Sequence, residues 1–303
     1  MSFTTGVLVS AVSLLVPLLL AALGELVAER AGVINIGLEG MMVAGGYAGF
    51  TVMLHTGNAW LAGLAGVGGG MAVAGVMAAV AVYGRANQIV TGFALFLMVP
   101  GIVDFLYGQE SAGLATVPST PHLDPLAIPL LHDLPLVGEA LFEQNGFWYV
   151  LVGLAVIVAF MVKRTRFGLE LAACGHDPEA AETRGVHVLR VRALATLWAG
   201  ALAGLGGAAL TVGALGAYSQ GVMAGRGFIA IAIVILGRWR VGWVIPAAVV
   251  VALSDALRLR VGESVDVPVQ LVGMLPWLVV LVLLVVGARA IGRMPKALGR
   301  TVL

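Results

Sequence analysis

Apolar runs of bilayer length recur along this chain, and they remove most folds from consideration. Within hydrocarbon every backbone N–H and C=O must find a partner inside the protein, so only helices or a closed barrel can cross. The runs do not alternate apolar with polar residues, as barrel strands do, so the spans are expected to be helical. They fall at about 7–28, 38–54, 59–83, 88–107, 147–162, 193–213, 227–238, 242–257 and 268–288. A crossing helix needs roughly 20 residues. Segment 227–238 is short for that and reads as broken or re-entrant, and 242–257 is also shorter than ideal. The expected class is all-α, a polytopic membrane protein with about nine spans, within a range of eight to ten. Only 11% of residues are charged, against roughly 25% in average proteins. The net charge of +1 gives no case for a nucleic-acid partner. One cysteine, Cys174, rules out an internal disulfide framework. The N-terminus lacks a basic segment and a cleavage site, so the first run is expected to stay as a span.

Basic residues mark the cytoplasmic side of a membrane protein. Lys163, Arg164, Arg166, Arg184, Arg190 and Arg192 fall in loop 163–192, and Arg289, Arg293, Lys296 and Arg300 in the tail. Loop 108–146 carries Glu110, Asp124, Asp133, Glu139 and Glu143 without Lys or Arg, and is expected outside as a Pro-rich cap. Alternation from these anchors puts 14 of the 17 basic residues inside, leaving Arg226, Arg258 and Arg260 outside with Glu263 and Asp266 nearby. The N-terminus is then outside and the C-terminus cytoplasmic. One membrane domain covers 1–303: a first half (1–107), the outer loop (108–146), a connecting helix (147–162), the cytoplasmic loop (163–192) and a second half (193–303).

Each half has a Gly-rich interruption near its second helix, at 31–46 and 216–227. Opposed halves with broken helices are typical of transporters, whose breaks sit near the substrate path. In the first break, Asn35 and Glu39 lie beside apolar runs, where polar groups line something wet, recognise something polar, or make a turn at the surface. Asn35 offers both donor and acceptor to a sugar hydroxyl or base edge. Glu39 either lines a path, pairs with Arg30 or caps a helix. Asn87 and Gln88 follow Arg85 at a helix start, where Asn87 is either an N-cap or part of an inner mouth. Tyr218, Ser219 and Gln220, in the second break, form a plain loop or an outer gate. Glu25, Asp104 and Asp255 lie near span ends and are read as snorkelling or paired, and Met41, Met42 and Phe93 as packing. His55, His122, His132, His176 and His187 fall in loops without metal spacing. No catalytic set is evident, and there is no GxxxxGK[ST] phosphate loop, so any ATP would be held by another chain.

In 163–192, Asp177 is a good N-cap with Pro178 at the first helical position. Glu179, Ala180, Ala181, Glu182, Thr183 and Arg184 supply one or two turns, and Gly185 ends them. This short surface helix is either a solvated loop or a docking element braced by a partner.

Thr165-Arg-Phe-Gly-Leu-Glu-Leu171 with Gly175-His-Asp-Pro-Glu-Ala-Ala-Glu-Thr-Arg-Gly-Val186 resembles the coupling-helix loop of ribose-type ABC importer permeases. Gly225-Arg-Gly-Phe-Ile-Ala-Ile-Ala-Ile-Val-Ile-Leu-Gly237 looks like the later signature of that family. Glu29–Met42 and Arg85-Ala-Asn-Gln-Ile-Val-Thr-Gly92 resemble its nucleoside-importing branch. The likeness runs in order from about 7 to 290. It implies a type II importer permease fold with an inverted repeat, in the membrane of a prokaryotic cell. The implied partners are a second, related permease subunit in a heterodimer, a cytoplasmic ATP-binding subunit and an extracytoplasmic binding (lipo)protein. This chain would bind no cofactor, with ATP and Mg on the ATPase partner. Asn35, Glu39, Asn87, Gln88, Thr91 and Tyr218 would line the substrate pathway. Asp177, Pro178, Glu179, Ala180, Ala181, Thr183 and Gly185 would couple to the ATPase. Relatives commonly carry Asn near Phe96 or Leu97, where this chain has Ala94-Leu-Phe-Leu-Met98. Nucleosides or related sugar-containing solutes are the expected cargo. A simple sugar or a branched-chain amino acid is the alternative, and a stand-alone ion-coupled transporter using Glu39 and Asp104 is the rival mechanism.

Overall fold

The computed structural model describes residues 3–112, 118–121, 123–127, 138–264, 273–287 and 294–300. Twelve helices lie among them. The first four are α1 (Phe3–Arg30), α2 (Leu38–Thr56), α3 (Ala59–Met77, continued by a π-helical stretch Ala78–Tyr83) and α4 (Gln88–Ser111). After the short α5 (Gly138–Phe142) come α6 (Gly146–Arg164), α7 (Arg166–His176) and α8 (Pro178–Thr183). Then follow α9 (Val188–Ala208, with a π-helical end Ala209–Leu215), α10 (Arg226–Leu236), α11 (Val241–Ser264) and α12 (Leu275–Gly287). The only described strands, β1 (Leu126–Ala127) and β2 (Glu143–Gln144), form one antiparallel pair.

The fold is helical, as the apolar runs require; the expected count of about nine crossings is not confirmed. Among the described residues six helices are long and apolar enough to cross: Thr5–Arg30, Ala59–Tyr83, Gln88–Ser111, Gly146–Arg164, Val188–Leu215 and Val241–Arg258. α2 is not among them, because its glycines, Glu39 and His55 dilute its apolar content. α10 is an 11-residue helix, about 16 Å long and too short to cross alone. α11 runs to 24 residues, longer than the apolar run from 242 to 257 implies, since Ser264 and the residues before it continue the same helix. Of the last expected span, 268–272 and 288 lie outside the described residues, as do His122, His132, Asp133, Asp266, Arg289 and Arg293. Ser119 bridges Ala217, so the described part of the outer loop lies over the second break.

α9 packs against α1, α2 and α3, and α1 also packs on α10 and α11. The pairings recur in the two halves. α2 meets α9, α3 and α4; α10 meets α1, α11 and α12. Small residues set the closest approaches. A Cβ on Gly204 of α9 would lie 2.8 Å from the Cα of Gly70 on α3, and one on Gly45 of α2 would collide with Gly204 itself. Thr211 adds a hydrogen bond to the Gly46 carbonyl, 2.9 Å across the α9–α2 contact.

One end of the bundle is basic. Here α1, α6 and α10 finish, and α7, α8 and the last described segment, 294–300, cross it. Arg192 of α9 is buried and ties this end together. Its guanidinium donates to the carbonyls of Ala31 (3.0 Å) and Arg300 (2.6 Å). The Ala297 N–H donates to Gly175, and the Gly299 N–H to Gly32.

A carboxylate between two helix starts

The chain leaves α1 at Arg30, turns at Gly32 (φ +88°) and returns through 33–37 before α2 begins. The second break, 216–225, ends at Gly225 (φ +81°), where α10 begins. These two helix starts meet at Glu39. The Gly225 N–H donates to Glu39 Oε1 at 2.8 Å and the Gly227 N–H to Oε2 at 2.6 Å. Neither N-cap, Gly37 nor Gly225, provides a side-chain cap. One buried carboxylate therefore lies in the first turn of its own helix and closes the free N–H groups of another. Helix N-termini carry partial positive charge, so both favour an anion at this point. A side chain at 227 would drive into the Glu39 backbone, its Cβ 2.6 Å from the nitrogen, which accounts for glycine there. Glu39 thus takes the helix-capping role, and Arg30 points elsewhere, donating to the Trp239 carbonyl at 3.2 Å.

Beyond Gly225 the charges alternate. Arg226 pairs with Asp255 of α11 at 3.3 Å, and the other oxygen of Asp255 is 2.9 Å from Arg258. Arg258 therefore finds its described partner in Asp255, one turn back, whereas the loop acids had been the expected compensation. Arg226 and Asp255 are both largely buried, so the ion pair neutralises two groups that would be costly apart.

Asn35 is fully buried, on the return segment. Its backbone N–H donates to Glu25 Oε1 at 3.3 Å, and its amide nitrogen meets the Met41 sulfur at 3.3 Å. Among the described residues, Asn35 Oδ1 and Glu25 Oε2 are buried with no hydrogen-bond partner. Glu29, one turn on, is also buried and accepts the Trp239 indole N–H. Both glutamates are thus interior groups, not surface charges at the end of α1. Gln88 is buried too and accepts the Ile34 N–H at 2.9 Å, so the start of α4 holds the same return segment. Asn87 caps α4 through Oδ1, accepting from Ile89 (3.0 Å) and Val90 (3.1 Å). Thr91 donates to the Asn87 carbonyl at 2.9 Å. Phe96 packs edge-on against Phe228 in the first turn of α10, with ring centroids 5.0 Å apart.

Tyr218 lies apart from these, buried in an aromatic cluster with Tyr107 (5.0 Å), Tyr47 (5.6 Å) and Phe50 (6.0 Å). Of the expected residues, the structure brings Asn35, Glu39 and Gln88 around the first break and keeps Tyr218 in the second. The pairing of Glu39 with the Gly225–Gly227 backbone and the Glu25 and Glu29 contacts were not foreseen, whereas Asp255 is paired, as one of its two readings expected. The signal was present in Gly225-Arg226-Gly227, where two glycines flank a helix start.

At the basic end, α8 has Asp177 Oδ1 accepting the Ala180 N–H at 3.0 Å, and Gly185 (φ +86°) closing its last turn onto Glu182. Ala181 packs inward, while Glu179, Ala180, Glu182 and Thr183 are exposed. α7 precedes it as a separate amphipathic helix, with Leu171 and Cys174 buried and Leu169 exposed.

Residues 7–286 match the family described as the permease component of branched-chain amino acid transport systems. The chain belongs to this permease family. It is 39% identical over 264 residues to a candidate glucose ABC transporter permease protein of Haloferax volcanii, covering 86% of this chain and 79% of that one. It is 34% identical over 202 residues to the guanosine ABC transporter permease protein of Bacillus subtilis, covering 63% and 62%. It is 33% identical over 201 residues to the nucleoside ABC transporter permease protein of Lactococcus lactis subsp. cremoris, with the same coverage of each. No solved structure matches. A multi-pass membrane location follows from the family and the six long apolar helices.

Proposed function

We propose that this permease is the membrane-spanning subunit of an ATP-driven importer of nucleosides or related sugar-containing solutes. The observation that carries the mechanism is the meeting of two broken-helix starts at Glu39. The recurring contacts of α2 and α10 support an inverted repeat, with the two breaks on one path. In this reading Glu39 locks the two halves at the centre. Asn35, Asn87, Gln88 and Thr91 line the inner part of the pathway, and Tyr218 lines its outer part. The basic end faces the cytoplasm. There α8, through Asp177, Pro178, Glu179, Ala180, Ala181, Thr183 and Gly185, docks on a separate ATPase that holds ATP and Mg. A second, related permease subunit and an extracytoplasmic binding (lipo)protein complete the assembly. The cargo biases the cycle only through unequal affinity for its two facings.

A glucose-type sugar is the second reading, favoured by the 39% identity to the Haloferax protein over 79% of its length. Uptake of labelled guanosine into vesicles holding the co-purified complex, with unlabelled nucleosides or glucose as competitors, separates the two. ATP-dependent uptake blocked by nucleosides supports the first; block by glucose alone selects the second. Uptake driven by an ion gradient with this chain alone overturns both. Glu179→Lys is expected to abolish uptake while the two permeases still co-purify, and unchanged uptake removes α8 as the docking element.

A further inference from the structure

The last described segment, 294–300, joins two elements of the basic end. The Ala297 N–H donates to the Gly175 carbonyl at 2.9 Å, in the last turn of α7. The Gly299 N–H donates to the Gly32 carbonyl at 3.1 Å, at the turn that opens the first break. Between these bonds the segment curls on itself, with Leu298 donating to Pro295 and Arg300 to Ala297. Pro295 and Ala297 are buried. One short stretch of chain therefore holds α7 and the first break at once.

Arg192 fixes that stretch in place. Its side chain is 2% exposed, and among the described residues no carboxylate forms an ion pair with it. A buried cation without a counter-ion is costly unless its N–H groups meet acceptors. Nε donates to the Ala31 carbonyl at 3.0 Å, where α1 presents the negative end of its dipole. The other two guanidinium nitrogens donate to Arg300 at 2.6 Å and Ala297 at 3.5 Å. The planar fork thus bridges two segments far apart in the chain, which a lysine ammonium, a point charge, does not match. Gly32 leaves room for it: a Cβ there would lie 2.8 Å from Arg192 Nη2 and 3.1 Å from the Ala297 carbonyl oxygen. An apolar side chain would fill the same volume without burying a charge. The arginine is therefore explained by the segments it joins and not by the space it fills.

α7 and α8 share Asp177, which ends the first and caps the second, so a displacement of α8 is carried to the end of α7. On the other side, Gly32 leads directly into the return segment that holds Asn35, with Glu39 beyond. We propose that Arg192 and the segment 294–300 form a strut that passes a displacement of α8 to the first break, with Arg192 as its positioning residue. This rests on the importer reading above and adds the route by which the ATPase partner reaches the pathway.

The test uses the purified complex in liposomes, with ATP hydrolysis and uptake of labelled guanosine or glucose measured together. Absence of ATP-driven uptake in the wild type removes the importer reading, and the strut with it, before any variant is compared. Two variants then address the strut alone. Ala297→Pro removes the N–H that meets Gly175 and leaves every charge in place. Arg192→Gln removes the fork. Each is expected to assemble and to hydrolyse ATP as the wild type does, while solute moved per ATP falls about tenfold, the equivalent of one charged hydrogen bond. Arg192→Lys keeps the charge without the fork and is expected to recover the loss only in part; where Arg192→Gln does not assemble, it supplies the ratio in its place. A wild-type ratio at either position overturns the proposal. A parallel fall of assembly, hydrolysis and uptake, with the ratio unchanged, overturns it too and assigns the segment to the stability of the fold.

Discussion

Both oxygens of Glu39 are committed to the backbone of a helix 186 residues away in sequence. A hydrogen bond to a charged group contributes about 1.5–3 kcal/mol. Glu39→Ala, which removes two, is therefore expected to cost about 3 kcal/mol or more, while Glu39→Gln keeps one acceptor and costs about half of that. Thermal unfolding in detergent reads the order, and equal midpoints for the two variants would remove the cap from the account. Gly227→Ala reaches the same contact from the other side and is expected to behave like Glu39→Ala, since its Cβ has no room. Glu25 and Asn35 pose a different question, because two buried acceptors there lack a donor. Glu25→Gln brings one and is expected to preserve the yield of folded protein, whereas Glu25→Leu lowers it. Cys174 is inert for an electrostatic reason: burial pushes its thiol up to about 11, although nearby Arg192 opposes the shift. The reactive thiolate is therefore scarce at neutral pH and grows only as pH approaches that value. Maleimide labelling at pH 7.5 is expected to be slow in the folded protein and rapid after denaturation.

Elements differed in how openly the sequence announced them. α8 was legible to within a residue, its turns ending at Thr183 rather than Arg184, because Asp177, Pro178 and Gly185 act locally, through a cap, a fixed φ and a positive φ. The long apolar spans were legible for the same reason, since lipid tests each segment separately. α7 was not, because Leu171 and Cys174 are buried against α6, α9 and α1, neighbours that no local signal in the sequence names. The partner of Glu39 was also hidden: a single carboxylate does not say which of many backbones it will meet. Glycine spacing carried more than it first showed. Gly45, Gly70 and Gly204 lie on three helices that meet closely, and each is there because its neighbours are. Gly204→Val is expected to separate α9 from α3, a loss beyond the about 1–3 kcal/mol of ordinary overpacking. The same change at Gly68, which has open space, should be near neutral. Yield of monodisperse protein on size exclusion distinguishes the two.

For the whole molecule, burial is unequal in a way that charge alone could not anticipate. The apolar stretches of α1 and α9 are each 78% buried, while those of α4 and α6 are each 22% buried. The chain is thus built around two central helices, with α4 presenting Phe93, Leu97, Ile102 and Phe105 outward to lipid or to a second subunit. Sidedness follows from the fixed path through this bundle. α1 ends where α7, α8 and 294–300 gather, so all of these share one face. α2 is less apolar than the six long helices, but its 19 residues, about 28 Å, carry the chain to the opposite end, so the turn Gly57–Asn58 and the end of α4 at Ser111 share the other face. The excess of Lys and Arg at the first face is the ground on which we propose it as the cytoplasmic one. In a Cys174→Ser background, Asn58→Cys and Gly108→Cys are expected to react with an impermeant maleimide in intact cells. Gly84→Cys and Thr183→Cys should react only after permeabilisation. Because one path links all four positions, the labelling must invert as a set or not at all. Complete inversion would reverse the proposed coupling face, while mixed labelling would contradict the path itself.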